Sequence, residues 1–285
     1  MKRSALVFLA FCTSLILTDL NAQDNATPKI FVYHQSGKDT SKLYVLKPEK
    51  SGNKHAAILL FHGGAWRLGD ASWMFQRAQE FAKDGLVAIS VDYRLANNGL
   101  SPVDGVEDAC AAFAWVRQHA KELGIDTKRV AGYGVSAGGH LVACAATLPL
   151  VRGRKVGADS RPDAVILYCA ALNMTNDPYF GGLMKGKGSP HDYSPYEYIS
   201  EKLAPSLIIQ GEKDSIVFAS DARLFRDAAV KVGSNCTLYE YPGVGHLLTR
   251  NLKIQYKDFD PDPADATDAH KREDEFLRSI GYIEK

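Results

Sequence analysis

Cysteine is sparse in this chain and poorly placed for metal or redox chemistry. Five occur among 285 residues, and none stands in a Cys-x-x-Cys pair. That leaves zinc-ribbon and thioredoxin-type chemistry without support. Excess charge is also missing. With 34 basic and 33 acidic residues the formal charge is +1, so no polycationic face is forced and nucleic acid is not an expected partner. Internal repeats and low-complexity tracts are absent, which argues against solenoids and disordered linkers. Beyond the N-terminus no apolar run approaches the roughly 20 residues of a membrane span. What remains is ordinary for a globular protein: 46% hydrophobic and 24% charged residues.

The N-terminus reads as a secretory leader. Lys2 and Arg3 precede an apolar run from Leu6 to Leu17, and Leu20-Asn21-Ala22 offers a small residue at a cleavage point. The run is too short for an anchor. Residues 1–22 are therefore expected to be removed and residues 23–285 to form one catalytic domain in the periplasm or outside the cell. Export permits disulfides, but a chain of this length does not need them, and Cys110, Cys144, Cys169 and Cys236 sit in apolar stretches where buried free thiols are the expected state.

The rest of the chain alternates strand and helix. Lys29 to His34 and Lys42 to Lys47 alternate in polarity and predict antiparallel edge strands. Ala56 to Phe61 and Leu86 to Asp92 are continuous apolar runs, as expected of strands covered on both faces. Arg129 to Gly134, Ala164 to Ala170, Ser206 to Gln210 and Thr237 to Tyr241 predict further strands. Ser72 to Lys83, Val103 to Leu123, Ala137 to Leu148 and Phe218 to Lys231 have helical spacing. Such alternation predicts an α/β protein, with a mainly parallel central sheet and helices on both faces. Residues 173–198, rich in glycine, proline and tyrosine, predict a binding loop or a small lid. Residues 252–269 are polar and rich in Asp and Pro. Asp258, Asp260 and Asp262 alternate as in a calcium loop, but Pro261 and Pro263 intrude and the Gly and Glu of that loop are missing, so a solvated loop is expected.

Gly134-Val135-Ser136-Ala137-Gly138 stands at a strand-to-helix junction. A turn that sharp exposes the serine hydroxyl and requires small neighbours. A serine needs a base, and a histidine base needs an acid that holds its tautomer. His246 follows the last strand in Gly243-Val244-Gly245-His246. Asp214 follows Ser206 to Gln210 in Gly211-Glu212-Lys213-Asp214, with Glu212 as the rival acid. All three lie past C-terminal strand ends, where parallel sheets place their sites. His62-Gly63-Gly64-Ala65-Trp66 follows the first buried strand and can aim amides at one point. Gly64, Ala65 and Ala137 are the candidate oxyanion donors, and His62 is a candidate support for that loop.

His-Gly-Gly-x-Trp, Asp92-Tyr93-Arg94-Leu95, Gly-x-Ser-Ala-Gly-Gly-His and Gly-x-x-Asp occur in that order. From about Ala56 to His246 the chain thereby resembles the α/β-hydrolase superfamily. More narrowly it is similar to esterases related to hormone-sensitive lipase and to bacterial acetyl xylan and feruloyl esterases. Two positions depart from the pattern: Ala65 replaces a third loop glycine, and Val135 stands where an acidic residue is common. The resemblance implies an α/β-hydrolase fold without a large cap and ester hydrolysis through an acyl-enzyme, with no metal or cofactor. Its implied partner is an ester substrate, acetyl or feruloyl groups on plant polysaccharide such as xylan. Broad short-chain carboxylesterase, arylformamidase, peptidase and a non-catalytic binding module stay open. Trp66, Tyr179 and Phe180, with Trp73 and Tyr193, are candidate stacking faces for a sugar or aryl group, although packing alone would also account for each.

Overall fold

The computed structural model describes residues 27–36, 39–49, 54–257 and 259–284. The expected leader and Asp258 lie outside the described residues. Strands β1 (Lys29–Ser36) and β2 (Asp39–Leu46) run antiparallel at one edge of an eight-stranded sheet. Next in sequence come β3 (His55–Phe61), β4 (Val87–Asp92) and β5 (Ile125–Val135). A two-stranded hairpin of β6 (Leu150–Val151) and β7 (Arg154–Lys155) stands apart. Then follow β8 (Ala164–Tyr168), β9 (Ser206–Gly211) and β10 (Cys236–Tyr241). The sheet order is β1-β2-β4-β3-β5-β8-β9-β10, and β4 to β10 in that order are parallel.

Period-two geometry explains why β3 is apolar throughout. Ala57, Leu59 and Phe61 face one core layer, while Ala56, Ile58 and Leu60 face the other. The first layer is closed by α2 (Pro102–Gln118), α4 (Ala137–Thr147) and α6 (Ala219–Lys231), through Val106, Phe113, Leu141 and Phe225. The second is closed by α1 (Phe75–Lys83) and α7 (Pro263–Ser279), through Ala78, Phe81, Ala269 and Leu277. Each large side chain buried this way contributes about 1.5–3 kcal/mol relative to exposure.

Local signals account for most helix ends. Helix α2 begins with a reciprocal cap between Ser101 and Asp104 and with Pro102 in its first turn. The expected helix from Val103 to Leu123 breaks at His119, leaving α3 (Ala120–Leu123) closed by left-handed Gly124. Helix α5 (Pro178–Met184) and two short 3-10 turns occupy the 173–198 segment.

Residues 252–269 are not one solvated loop. Asp262 accepts hydrogen bonds from the amides of Ala264 and Asp265, and Pro263 opens α7. The Asp-Pro alternation is thus in part a helix start. Helix α7 docks through buried Glu273, which takes Arg77 at 2.6 Å and the Tyr133 hydroxyl at 3.2 Å. Burial pushes the Glu273 carboxyl up, to about 7, against the pull of Arg77. Among the described residues the four cysteines are unpaired, and no helix is long and apolar enough to cross a membrane.

Candidate active site

Ser136 sits between β5 and α4 with φ 53° and ψ −116°, a backbone state that β-carbon sterics disfavour. Its neighbours explain why the sequence tolerates this only with glycine. A β-carbon on Gly138 would lie 2.2 Å from the Phe61 carbonyl oxygen, and one on Gly134 would lie 2.5 Å from that of Gly138. One on Gly139 would meet Ala170 at 2.4 Å. Strand, turn and helix therefore touch backbone to backbone. The Ser136 amide donates to Tyr168 O at 2.9 Å, and Ser136 O accepts from His140 at 3.1 Å.

Asp214 and His246 come from the turns after β9 and β10. His246 Nδ1 donates to Asp214 Oδ2 at 2.7 Å, and Ser136 Oγ donates to His246 Nε2 at 3.0 Å. All three side chains are buried or nearly so. The structure thus brings together the serine, histidine and aspartate expected from sequence. Asp214 is saturated: Oδ1 accepts from Ile216 and Val217 amides at 2.9 Å each, and Oδ2 also accepts from Gln210 Nε2 at 3.0 Å. Glu212 points elsewhere, accepting from the Gly243 amide at 3.1 Å and from Lys213 at 3.2 Å.

Among the described residues the amides of Gly64, Ala65 and Ala137 donate to no backbone carbonyl. Gly64 has φ 108°, and a β-carbon there would lie 2.1 Å from Leu68 O. Ala65 and Trp66 follow with φ of 51° and 62°, so the loop curls left-handed across three residues. His62 braces it by donating from Nδ1 to Gly63 O at 2.6 Å, with Tyr93 stacked on its ring and donating to His62 O at 2.8 Å.

Trp66 has a second tie. Its indole N–H donates to His140 Nδ1 at 3.2 Å, while His140 Nε2 donates to Tyr193 O at 2.7 Å. Burial lowers the His140 imidazole to about 4. One neutral tautomer therefore links the glycine loop, α4 and the 173–198 segment.

A cavity of about 610 Å³ opens beside Ser136. Ala65, Trp66, Met174 and Val217 line it, with Asn173 and Asp221, and exposed Tyr179, Phe218 and Tyr256 stand at its wall. Trp66 and Tyr179 therefore reach the cavity. Phe180 does not, which corrects the expectation for it: the ring is fully buried, 5.0 Å from Trp66 and 4.9 Å from His140. Helix α5 turns it inward, one position after outward-facing Tyr179.

Among the described residues, Cys169, Asp214 and His246 are the one group whose donor atoms lie close enough to hold a metal, within 4.8 Å. Two of these are already hydrogen-bonded to each other, and burial pushes the Cys169 thiol up to about 12.

Sequence reasoning missed the amide side chains that hold the acid and base. Gln210 is the penultimate residue of β9, and Gln255 comes from the segment expected to be solvated. Neither carries a local pattern that would have marked it.

The BD-FAE family profile matches residues 43–154. An arylesterase of Saccharolobus solfataricus is 34% identical over 160 residues, covering 55% of this chain and 51% of that protein. A probable isoprenylcysteine alpha-carbonyl methylesterase of Arabidopsis thaliana is 24% identical over 75% of this chain and 50% of its own length. The chain spans about half the length of these curated relatives. Among solved structures, the propionate-bound esterase 2 of Thermogutta terrifontis is 30% identical with a TM-score of 0.78, covering 91% of this chain and 96% of that one. Its sarin-phosphonylated form is 29% identical, with a TM-score of 0.81 over 92% and 98%. Near-complete coverage at that identity, on a mostly parallel sheet with a strained serine turn, shows that the chain belongs to the α/β-hydrolase esterases.

Proposed function

We propose that this chain is an exported serine carboxylic ester hydrolase that removes short acyl groups from plant polysaccharide such as xylan. The observation that carries the chemistry is the hydrogen-bonded line from Asp214 through His246 to Ser136, opening on the cavity. His246 Nε2 takes the Ser136 proton as Oγ bonds to the ester carbonyl carbon. The carbonyl π electrons move to oxygen, and the resulting oxyanion accepts hydrogen bonds from the amides of Gly64, Ala65 and Ala137; one such donor is worth about 2.7–4 kcal/mol at the transition state. Asp214 stabilises the imidazolium. Collapse breaks the ester C–O bond, and the alkoxide leaves with the proton held by His246. Water then gives its proton to His246 and its oxygen to the acyl carbon. The acid departs and Ser136 regains its proton.

Several features support the substrate. The related Thermogutta esterase has been seen with propionate and with butyrate, which favours short acyl groups. Asn173 beside aromatic Tyr179 and Tyr256 suits a hydroxyl-bearing, flat-faced alcohol. The leader-like residues 1–22 would carry the enzyme to such polymers. A broad short-chain carboxylesterase is the second reading, favoured by the apolar wall of Met174, Ile216 and Val217.

Acetate release from acetylated xylan is the test, with Ser136→Ala beside it and p-nitrophenyl acetate as control. Release that depends on Ser136 is expected. Turnover of the control with silence on xylan would leave the carboxylesterase reading.

A further inference from the structure

The His246 turn and the Asp214 turn meet through the Lys213 amide, which donates to Val244 O at 2.8 Å, and through one side chain that belongs to neither turn. Gln255 is buried, and its amide makes four hydrogen bonds. Oε1 accepts from the His246 amide at 2.8 Å and from the Ser215 amide at 3.1 Å. Nε2 donates to Lys213 O at 2.9 Å and to Leu252 O at 3.3 Å. Both lone pairs and both protons of the amide are thus engaged.

The surroundings are shaped to admit this side chain. Gly245 has φ −100°, so its dihedrals do not demand glycine. Its space does: a β-carbon there would lie 2.4 Å from Gln255 Cδ. The turn it enters is strained. Leu247 and Leu248 both have positive φ, at 55° and 59°, which persists only where neighbours over-determine it. The far end of the same segment is tied back to the turn, since Arg250 donates to Asp260 O at 2.9 Å and Asp262 to Leu248 O at 2.9 Å. The residue after Gln255 is Tyr256, which lines the cavity beside Ser136.

We propose that Gln255 is a positioning residue for ester hydrolysis: its amide sets the Asp214 turn against the His246 turn, and so aims the imidazole at Ser136. This rests on the serine esterase reading. Gln255 touches neither Ser136 nor the cavity, so its effect passes through His246 and Asp214. Misplacing reacting groups by about 1 Å can cost on the order of 100-fold in rate. Substrate binding is not its task, so the loss falls on kcat rather than on KM.

Gln255→Asn and Gln255→Leu test this in the full chain. Asparagine keeps the amide but is one methylene too short to reach both turns. Leucine keeps the volume but removes the bonds. Active sites are counted by the p-nitrophenol burst or by a phosphonate, so that misfolded protein is not scored as slow enzyme. The expected result is a fall in kcat per titrated site of about tenfold or more in both variants, with KM for p-nitrophenyl acetate within about threefold. If leucine prevents folding, the asparagine variant decides alone. A kcat per site within about twofold of the parent in folded Gln255→Asn overturns the proposal. Ser136→Ala runs in parallel. Turnover there would remove the serine reading itself, whereas an inert Ser136→Ala beside fully active Gln255 variants would remove only the positioning role.

Discussion

The two halves of the site are held by different physics. Around Ser136 the contacts run backbone to backbone. Gly134, Gly138 and Gly139 let β5, α4 and the loop after β3 approach within distances that no β-carbon could occupy. Around Asp214 and His246 there is one such approach, where a β-carbon on Gly211 would lie 2.2 Å from Gly245 O. The rest is hydrogen bonding: the Glu212 amide donates to Tyr241 O at 2.9 Å and the Lys213 amide to Val244 O at 2.8 Å, and side-chain amides add to these. Gln210 holds the Asp214 carboxylate, and Gln255 joins the two turns. The nucleophile is therefore fixed chiefly by steric necessity, and its partners by backbone hydrogen bonds together with side-chain ones that a substitution can delete singly. The first kind of fixing leaves a short local pattern in the sequence; the second spans about forty positions.

The contrast breaks if a glycine on the nucleophile side can be replaced cheaply. Gly138→Ala places a methyl group against the Phe61 and His62 carbonyls, at 2.2 and 2.4 Å. Neither is the free end of a flexible side chain, so β3 and α4 must separate. The expected cost is about 3 kcal/mol or more, read as a lower denaturant midpoint, with ester turnover lost alongside it. A variant with parental stability and activity would show that the turn has slack the close contacts deny.

Asp214→Asn probes the other half and is expected to spare the fold. Oδ1 of asparagine can still accept from Ile216 and Val217. The amide nitrogen then faces His246 Nδ1 and donates where the carboxylate accepted. That forces the imidazole proton onto Nε2, the nitrogen that must take the proton of Ser136. A fall in kcat of about 10⁴ is expected, with a stability loss of about 1–3 kcal/mol because the Gln210 Nε2 donor then faces the new amide nitrogen. Steady-state kinetics with a titrated active-site concentration checks the rate, and the melting midpoint the stability.

How much of this could be read in advance follows from the same contrast. The apolar runs at β3, β4 and β8 and the Gly-x-Ser-x-Gly turn are local, and they mark both the sheet and the serine. Asp214 and His246 were found through their places after β9 and β10, with no pattern of their own strong enough to exclude Glu212. Gln255 carries no local signal, because three of its four partners lie 9, 40 and 42 positions away and all four are backbone groups. Helix α7 did carry one, the Asp262-Pro263 start, but its polar face and the prolines around it spoke louder for a loop. For Phe180 the sequence leaves stacking on a substrate and plain packing both open, and the structure selects packing. Asp177 caps α5 there by accepting from the Phe180 amide at 2.7 Å, and one helical turn is enough to reverse the ring's direction.

A gentler probe concerns Trp66 and its buried histidine. His140 accepts from Trp66 on Nδ1 and donates from Nε2 to Tyr193, so a second proton would face the indole N–H. Its folded value, lowered by burial to about 4, lies below the ordinary 6.5. The stability this neutral form contributes is fully present above about pH 6.5 and is lost as pH falls through about 4, at most about 3 kcal/mol. Thermal midpoints across that window should fall with acidification. His140→Gln, which keeps an acceptor for Trp66, should flatten the fall. An unchanged slope would assign it to other groups, of which His62 and His270 are also lowered by burial.

The smallest expected effect discriminates most sharply between the two acids. Glu212 and Asp214 sit two residues apart on the same turn, and sequence position alone allows either. In the fold Glu212 is turned outward. One oxygen accepts from the Gly243 amide and the other from Lys213, and its contacts do not include His246. Asp214 is buried with four donors converging on it. Glu212→Gln keeps an acceptor for Gly243 and removes only an exposed charge, which ordinarily changes energies by no more than about 0.5 kcal/mol, or roughly twofold in rate. The kcat of Glu212→Gln on p-nitrophenyl acetate should therefore match the parent within that margin. A fall comparable to that of Asp214→Asn would mean that the turn rearranges in the working enzyme so that Glu212 reaches His246. Hydrogen bonding from Gln210 and the two turn amides would then be structural support for a loop, not the orientation of a catalytic acid.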